Sequence, residues 1–185
     1  MDAKRKKFEI INSFKFCLLG MLALFFVFPT LAQESLSNRL ALPIQLFEDF
    51  STLYEAELGS VAECEGNVGL YEYKICSAAL RNEGNAPFIL YAKGLPSAEG
   101  KRKASPIVVL FHGLSDSPFS LRGVAEYLNN KGFTVVVPLT PGHGKLNAEA
   151  DMQDPNLKQR WYDHVDSIMS LVGPYSDQTF IGGFS

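Results

Sequence analysis

Three short runs in the second half of the sequence carry residue types that could do chemistry. They are His112-Gly113-Leu114, Pro141-Gly142-His143-Gly144 and Gly183-Phe184-Ser185, and each lies just past a stretch rich in β-branched and aromatic residues. A serine two positions after a glycine at the end of a buried strand fits the first half of G-x-S-x-G, the sharp strand-to-helix turn that presents a nucleophilic hydroxyl. Glycine suits position 183 because such a turn brings backbone segments too close for a Cβ. Standing alone, G-x-S describes an ordinary polar loop equally well. Other chemistries find less support. Gly144-Lys145 is followed by Leu146, and position 139 is Leu, so the phosphate-binding loop pattern is absent. Neither H-E-x-x-H nor G-x-G-x-x-G occurs, and no metal or organic cofactor is expected. Cys64 and Cys76 have no further Cys or His beside them at zinc spacing, which favours a local disulfide.

The elements that must position these residues follow from periodicity. Ile107–Phe111 and Phe133–Val137 are continuous apolar runs of the kind buried on both faces of a parallel sheet, and Thr179–Gly182 opens a third. Between them, Leu121, Val124, Ala125 and Leu128 share one helical face with Gly132 at the stop, and Trp161, Val165, Ile168 and Val172 share another before Gly173-Pro174. Strands alternating with helices at these lengths predict an α/β fold, a mostly parallel sheet with flanking helices and active-site loops at the carboxyl ends of its strands. Upstream, Leu46, Phe50, Leu53, Tyr54 and Leu58 predict an amphipathic helix from Pro43 to Gly59, with Glu48, Asp49, Glu55 and Glu57 on its polar face. Leu70–Ile75 and Phe88–Ala92 are strand candidates, and Gly94 to Ser105, with Lys101-Arg102-Lys103, reads as a solvated loop.

Taken together, Val108 to Leu114, Ser117-Pro118, Gly132-Phe133, Pro141-Gly142-His143-Gly144, Trp161 and Gly182-Gly183-Phe184-Ser185 resemble the α/β-hydrolase superfamily over residues 106–185. The order and spacing look most like its carboxylesterase, monoacylglycerol-lipase and serine-aminopeptidase-like branch. The resemblance implies that Ser185 is the nucleophile and that the Leu114 backbone N–H is half of the oxyanion hole, with His112 and Gly113 shaping that loop. It implies Gly183 as the elbow glycine. In this family the acid and the histidine follow the nucleophile in the chain, so His143 reads as a turn residue, His164 as a partly exposed helix residue, and Asp163 and Asp166 as a solvated face. Trp161 matches a helix-start aromatic, most simply a packing residue.

Composition sets the wider frame. The chain has 185 residues, 46% hydrophobic and 20% charged, with a net charge of −3 and a pI near 5.6, which argues against a nucleic-acid partner. Lys4-Arg5-Lys6-Lys7 and Lys15 precede the apolar run Phe16–Phe28, whose 13 residues fall short of the roughly 20 needed to cross a bilayer. This predicts a secretory signal peptide over residues 1–32, cleaved after Ala32, and an exported, periplasmic or secreted, product with no stable membrane span. The alternative is an uncleaved anchor. Residues 33–185 then hold 12 basic against 18 acidic side chains. The expected division is an N-terminal extension over 33–87, beginning with a polar leader to residue 42, and an incomplete hydrolase domain over 88–185. Because the acid, the histidine and the elbow's second glycine all follow the nucleophile in the family, the expectation is an N-terminal fragment, truncated at the elbow and inactive by itself. The whole enzyme would hydrolyse a small-molecule ester or lipid. A serine peptidase and a non-catalytic binding module remain open readings.

Overall fold

Runs of valine, isoleucine and phenylalanine become the strands that anchor everything else. In the computed structural model, which describes residues 45–65, 72–92 and 105–184, one mixed sheet holds β1 (Ala62–Glu63), β2 (Glu72–Cys76), β3 (Phe88–Leu90), β4 (Ile107–Phe111), β5 (Thr134–Val137) and β6 (Thr179–Gly183). Their spatial order is β1-β2-β3-β5-β4-β6. β4 runs parallel to both β5 and β6, while the β1–β2, β2–β3 and β3–β5 pairings are antiparallel. Each parallel step is bridged by a helix, as a crossover requires: α2 (Arg122–Asn130) joins β4 to β5, and α4 (Leu157–Val172) lies between β5 and β6. The architecture is α/β. The described residues all fall within one unit that begins at Pro43, so the segment ahead of residue 88 adds a helix and two strands to the same sheet.

Alternate side chains along the central strands serve two cores. Ile107, Val109 and Val136 point to the face covered by α1 (residues 45–58) and α4, where they meet Leu46, Phe50, Tyr54, Leu58, Ile168 and Val172. Val108, Leu110, Val135 and Val137 point the other way, onto Leu121 and Ala125 of the α2 side. Both faces are covered, which is why β4 and β5 read as unbroken apolar runs rather than alternating ones. α1 buries an i, i+4 stripe and stops at Gly59, whose φ of +72° is left-handed and whose N–H closes on Glu55 O.

Several expectations shift. Val124 is exposed, and Asn129 takes the buried place one turn from Ala125. The Asn129 amide nitrogen lies 2.8 Å from Tyr91 O and 3.0 Å from Phe133 O, so it satisfies loop carbonyls that a leucine would leave bare. The polar stretch after Gly144 contains a short helix, α3 (Ala148–Met152), which has too few apolar positions to show a period. β2 covers the described part of the strand expected at Leu70–Ile75 and runs on to Cys76, while its first two expected positions, with the rest of residues 66–71, lie outside the described set. So do the expected signal segment 1–32, the expected leader to residue 42, most of the expected loop over 94–105, and Ser185 itself. Cys64 and Cys76 form a disulfide across β1 and β2, with Cα atoms 5.0 Å apart. Among the described residues no helix is long and apolar enough to cross a membrane.

Candidate active site

The loops that leave the carboxyl ends of β4 and β5 face each other and are joined through two buried imidazoles. His112, just past β4, has Nδ1 3.0 Å from Gly113 O and accepts the Thr140 N–H at Nε2, also at 3.0 Å. A bare Nε2 puts the ring proton on Nδ1, where it donates to Gly113 O. Burial holds the His112 pKa below its ordinary value, which keeps the ring neutral. His143, in the loop after β5, has Nε2 2.7 Å from Leu114 O and Nδ1 3.1 Å from Pro141 O. The two rings meet edge to face with centroids 5.0 Å apart. Trp161 is half-buried beside them and donates its indole N–H to Pro141 O at 2.9 Å. Among the described residues nothing accepts the Leu114 N–H, and the Leu114 side chain is exposed.

The loop after β5 is gripped from several sides. Tyr54 of α1 accepts the Leu139 N–H at 2.8 Å, and Glu57 one turn on accepts the Gly142 N–H at 3.2 Å. Glu57 also pairs with Lys145 at 2.9 Å and Arg160 at 2.6 Å, and both cations reach Asp151. Burial alone would raise the Asp151 pKa, but Lys145 and Arg160 outweigh it and hold the carboxylate below its ordinary range. From the β2–β3 connection, the Arg81 N–H and the Asn85 amide both reach Gly144 O, at 2.9 and 3.2 Å. Two glycines make the path possible. Gly142 and Gly144 have φ of +82° and +64°, and a Cβ on Gly144 would stand 2.9 Å from Asn85 Cβ.

β6 leads to the expected nucleophile. It stays in register with β4 to Phe111↔Gly183, and the Phe184 N–H then donates to Phe111 O at 3.1 Å. The chain thus reaches the residue before Ser185 alongside the strand end that carries His112. The close approach falls at Gly182, where a Cβ would lie 3.0 Å from Leu110 Cδ2. At Gly183 the nearest atom is Phe111 O at 3.4 Å, an ordinary contact, so the described residues alone do not demand glycine there.

The other candidates sort clearly. His164 sits on α4 beneath Tyr54, its Nε2 buried without a partner, and burial lowers its pKa to about 4. The residue as a whole is half-buried on α4, in line with the partly exposed helix position expected, and only its Nε2 end is covered. Asp163 and Asp166 are exposed. The sulfurs of Cys64 and Cys76 lie near the Glu83 carboxylate, but a disulfide offers no thiolate to a metal. Sequence reasoning missed Thr140, Tyr54 and Glu57 and gave His143 no part beyond its turn. Of these only His143, flanked by glycines after a strand, carried a local signal.

No protein-family model matches the chain, and no curated protein does. Among solved structures it is similar to one from work on LipS and LipT, two metagenome-derived lipolytic enzymes, at 28% identity and a TM-score of 0.41, over 52% of this chain and 35% of that one. It is also similar to substrate-bound FphF, a fluorophosphonate-binding serine hydrolase of Staphylococcus aureus, at 14% identity and a TM-score of 0.35, over 68% of this chain and 48% of that one. The chain therefore spans less than half the length of either.

Proposed function

We propose that residues 106–185 supply the nucleophile and oxyanion parts of an exported serine hydrolase that cleaves carboxylic or acyl-glycerol esters. The reading rests on the Leu114 N–H, which has no acceptor among the described residues and stands where β4 ends, one strand away from the approach to Ser185. In this reading Ser185 Oγ attacks the ester carbonyl and passes its proton to a histidine encoded beyond residue 185. The carbonyl oxygen becomes an oxyanion held by the Leu114 N–H and by the N–H of the residue after the nucleophile. The alcohol leaves with that proton, and water then frees the acid from the acyl-enzyme. An ester with an apolar acyl chain suits the exposed Leu114, Leu146 and Phe184, all past the carboxyl ends of β4, β5 and β6.

In this proposal the 185 residues alone are inactive, because no described histidine is placed to serve as base: His112 has both ring nitrogens bonded, both His143 nitrogens are aimed at backbone carbonyls, and His164 Nε2 is buried in the α4 packing. The test takes the full product of the locus, read through the DNA beyond codon 185. A fluorophosphonate probe is expected to label it at Ser185, and a short-chain nitrophenyl ester to be turned over. Ser185→Ala should remove both. Turnover that survives Ser185→Ala sinks the proposal, and turnover of an aminoacyl anilide but no ester makes the protein a peptidase.

A further inference from the structure

We propose that His143 is a positioning residue for the oxyanion peptide, acting with His112 as a reciprocal clasp between the loops after β4 and β5. The inference rests on the reading of Leu114 as oxyanion donor given above. The Gly113–Leu114 peptide is planar and trans, so its carbonyl and its N–H point in opposite directions and turn as one body. His112 Nδ1–H holds that carbonyl. The next peptide begins at the Leu114 carbonyl, which His143 Nε2 holds at 2.7 Å. With the planes on both sides of the Leu114 Cα pinned, the Leu114 N–H has no soft torsion by which to swing away.

Each histidine comes from one loop and bonds the other. His112 takes its tautomer from the Thr140 N–H, in the loop after β5. His143 leaves that same loop to reach Leu114 O. The shorter of the two His143 contacts is Nε2 to Leu114 O, so the ring proton is placed on Nε2, while the Pro141 O that faces Nδ1 receives the Trp161 indole N–H. The loop after β5 therefore belongs to the oxyanion apparatus although it offers the substrate no donor of its own. The donation to Gly113 O also polarises the peptide and strengthens the opposite N–H as a donor.

A packing role and a positioning role differ in what they move. On the full product of the locus, ring-nitrogen NMR should find the proton of His112 on Nδ1 and that of His143 on Nε2. His143→Leu should lower kcat on the nitrophenyl ester on the order of 10²-fold, as small misplacements at a reacting centre do, with KM little changed. It should also shift the Leu114 amide resonance. His143→Gln, whose side-chain amide can donate from near the Nε2 position, should restore most of the rate. His112→Asn keeps a donor near Nδ1 but gives up the acceptor for Thr140, and should fall between. A folded His143→Leu enzyme with wild-type kcat overturns the inference, and so does a glutamine variant no better than leucine, or a His143 ring protonated on Nδ1 alone. If His143→Leu does not fold, the ring tautomers and the His143→Gln comparison decide. If Ser185 takes no probe, the functional reading fails by itself, while the ring tautomers and the Leu114 amide still judge the clasp.

Discussion

A histidine nitrogen buried without a hydrogen-bond partner is a pH-dependent liability. The His164 pKa is lowered to about 4 by burial, against about 6.5 when the chain is unfolded. Between those values the unfolded state binds the extra proton, so stability is complete above pH 6.5 and declines as the pH falls toward 4. The loss from this one ring is roughly 3 kcal/mol at its limit. Urea titrations from pH 7 to pH 4 should show that decline, and His164→Leu should flatten it while leaving the pH 7 value close to wild type. An undiminished slope in the variant assigns the acid sensitivity elsewhere. The same ring shows what is legible at this scale. α4's period placed Ile168 and Val172 correctly, but it holds no information on which neighbouring element covers position 164. His112-Gly113-Leu114 was readable because a strand end announces itself locally. The bond from His143 to Leu114 O was not, because its partners stand 29 residues apart.

Among the elements, α1 has the widest reach. Its stripe of Leu46, Phe50, Tyr54 and Leu58 was visible as a 3.6-residue period, yet the two side chains that matter most for the site act through their polar atoms. Tyr54 offers the Leu139 N–H its acceptor, and burial pushes the phenol pKa upward, so it stays a neutral hydroxyl. Tyr54→Phe leaves that N–H buried and unpaired and should cost about 1–3 kcal/mol, measured by urea denaturation at pH 7. A cost near zero would mean that the loop after β5 holds itself. In α2 the period misled at one position. Val124 looks like a core residue, but the carbonyls of Tyr91 and Phe133 need a donor, and Asn129 fills the inward place that an apolar residue would otherwise take. A polar demand from a distant loop leaves no trace in the helix that meets it.

Across the whole molecule, the parallel part β5-β4-β6 was legible because strands covered on both faces write continuous apolar runs. The antiparallel part was harder, since β1 is exposed and β2 is half-covered, and such short mixed strands resemble loops. There the Cys64–Cys76 disulfide closes a short loop, and its reduction should lower stability by about 3 kcal/mol on the chain-entropy account, seen as a shifted urea midpoint with and without a reductant. At the opposite margin, β6 pairs with β4 and, among the described residues, with no other strand, while Phe180 and Ile181 stand exposed on its two faces. Such an edge is a template for another chain. Ile181→Lys should reduce concentration-dependent association of the 185-residue chain in sedimentation velocity, and an unchanged profile would clear this edge of the blame. The grip of α1 also orders events in time. Tyr54 and Glu57 find partners 85 to 103 residues later in the chain. On a ribosome the helix segment emerges well before Leu139, Gly142 and Arg160 exist, and a lone helix of this length is marginal in water. Its apolar stripe waits uncovered until those partners arrive, so it is a natural hold for a chaperone, and the loops of the candidate site take their final shape last.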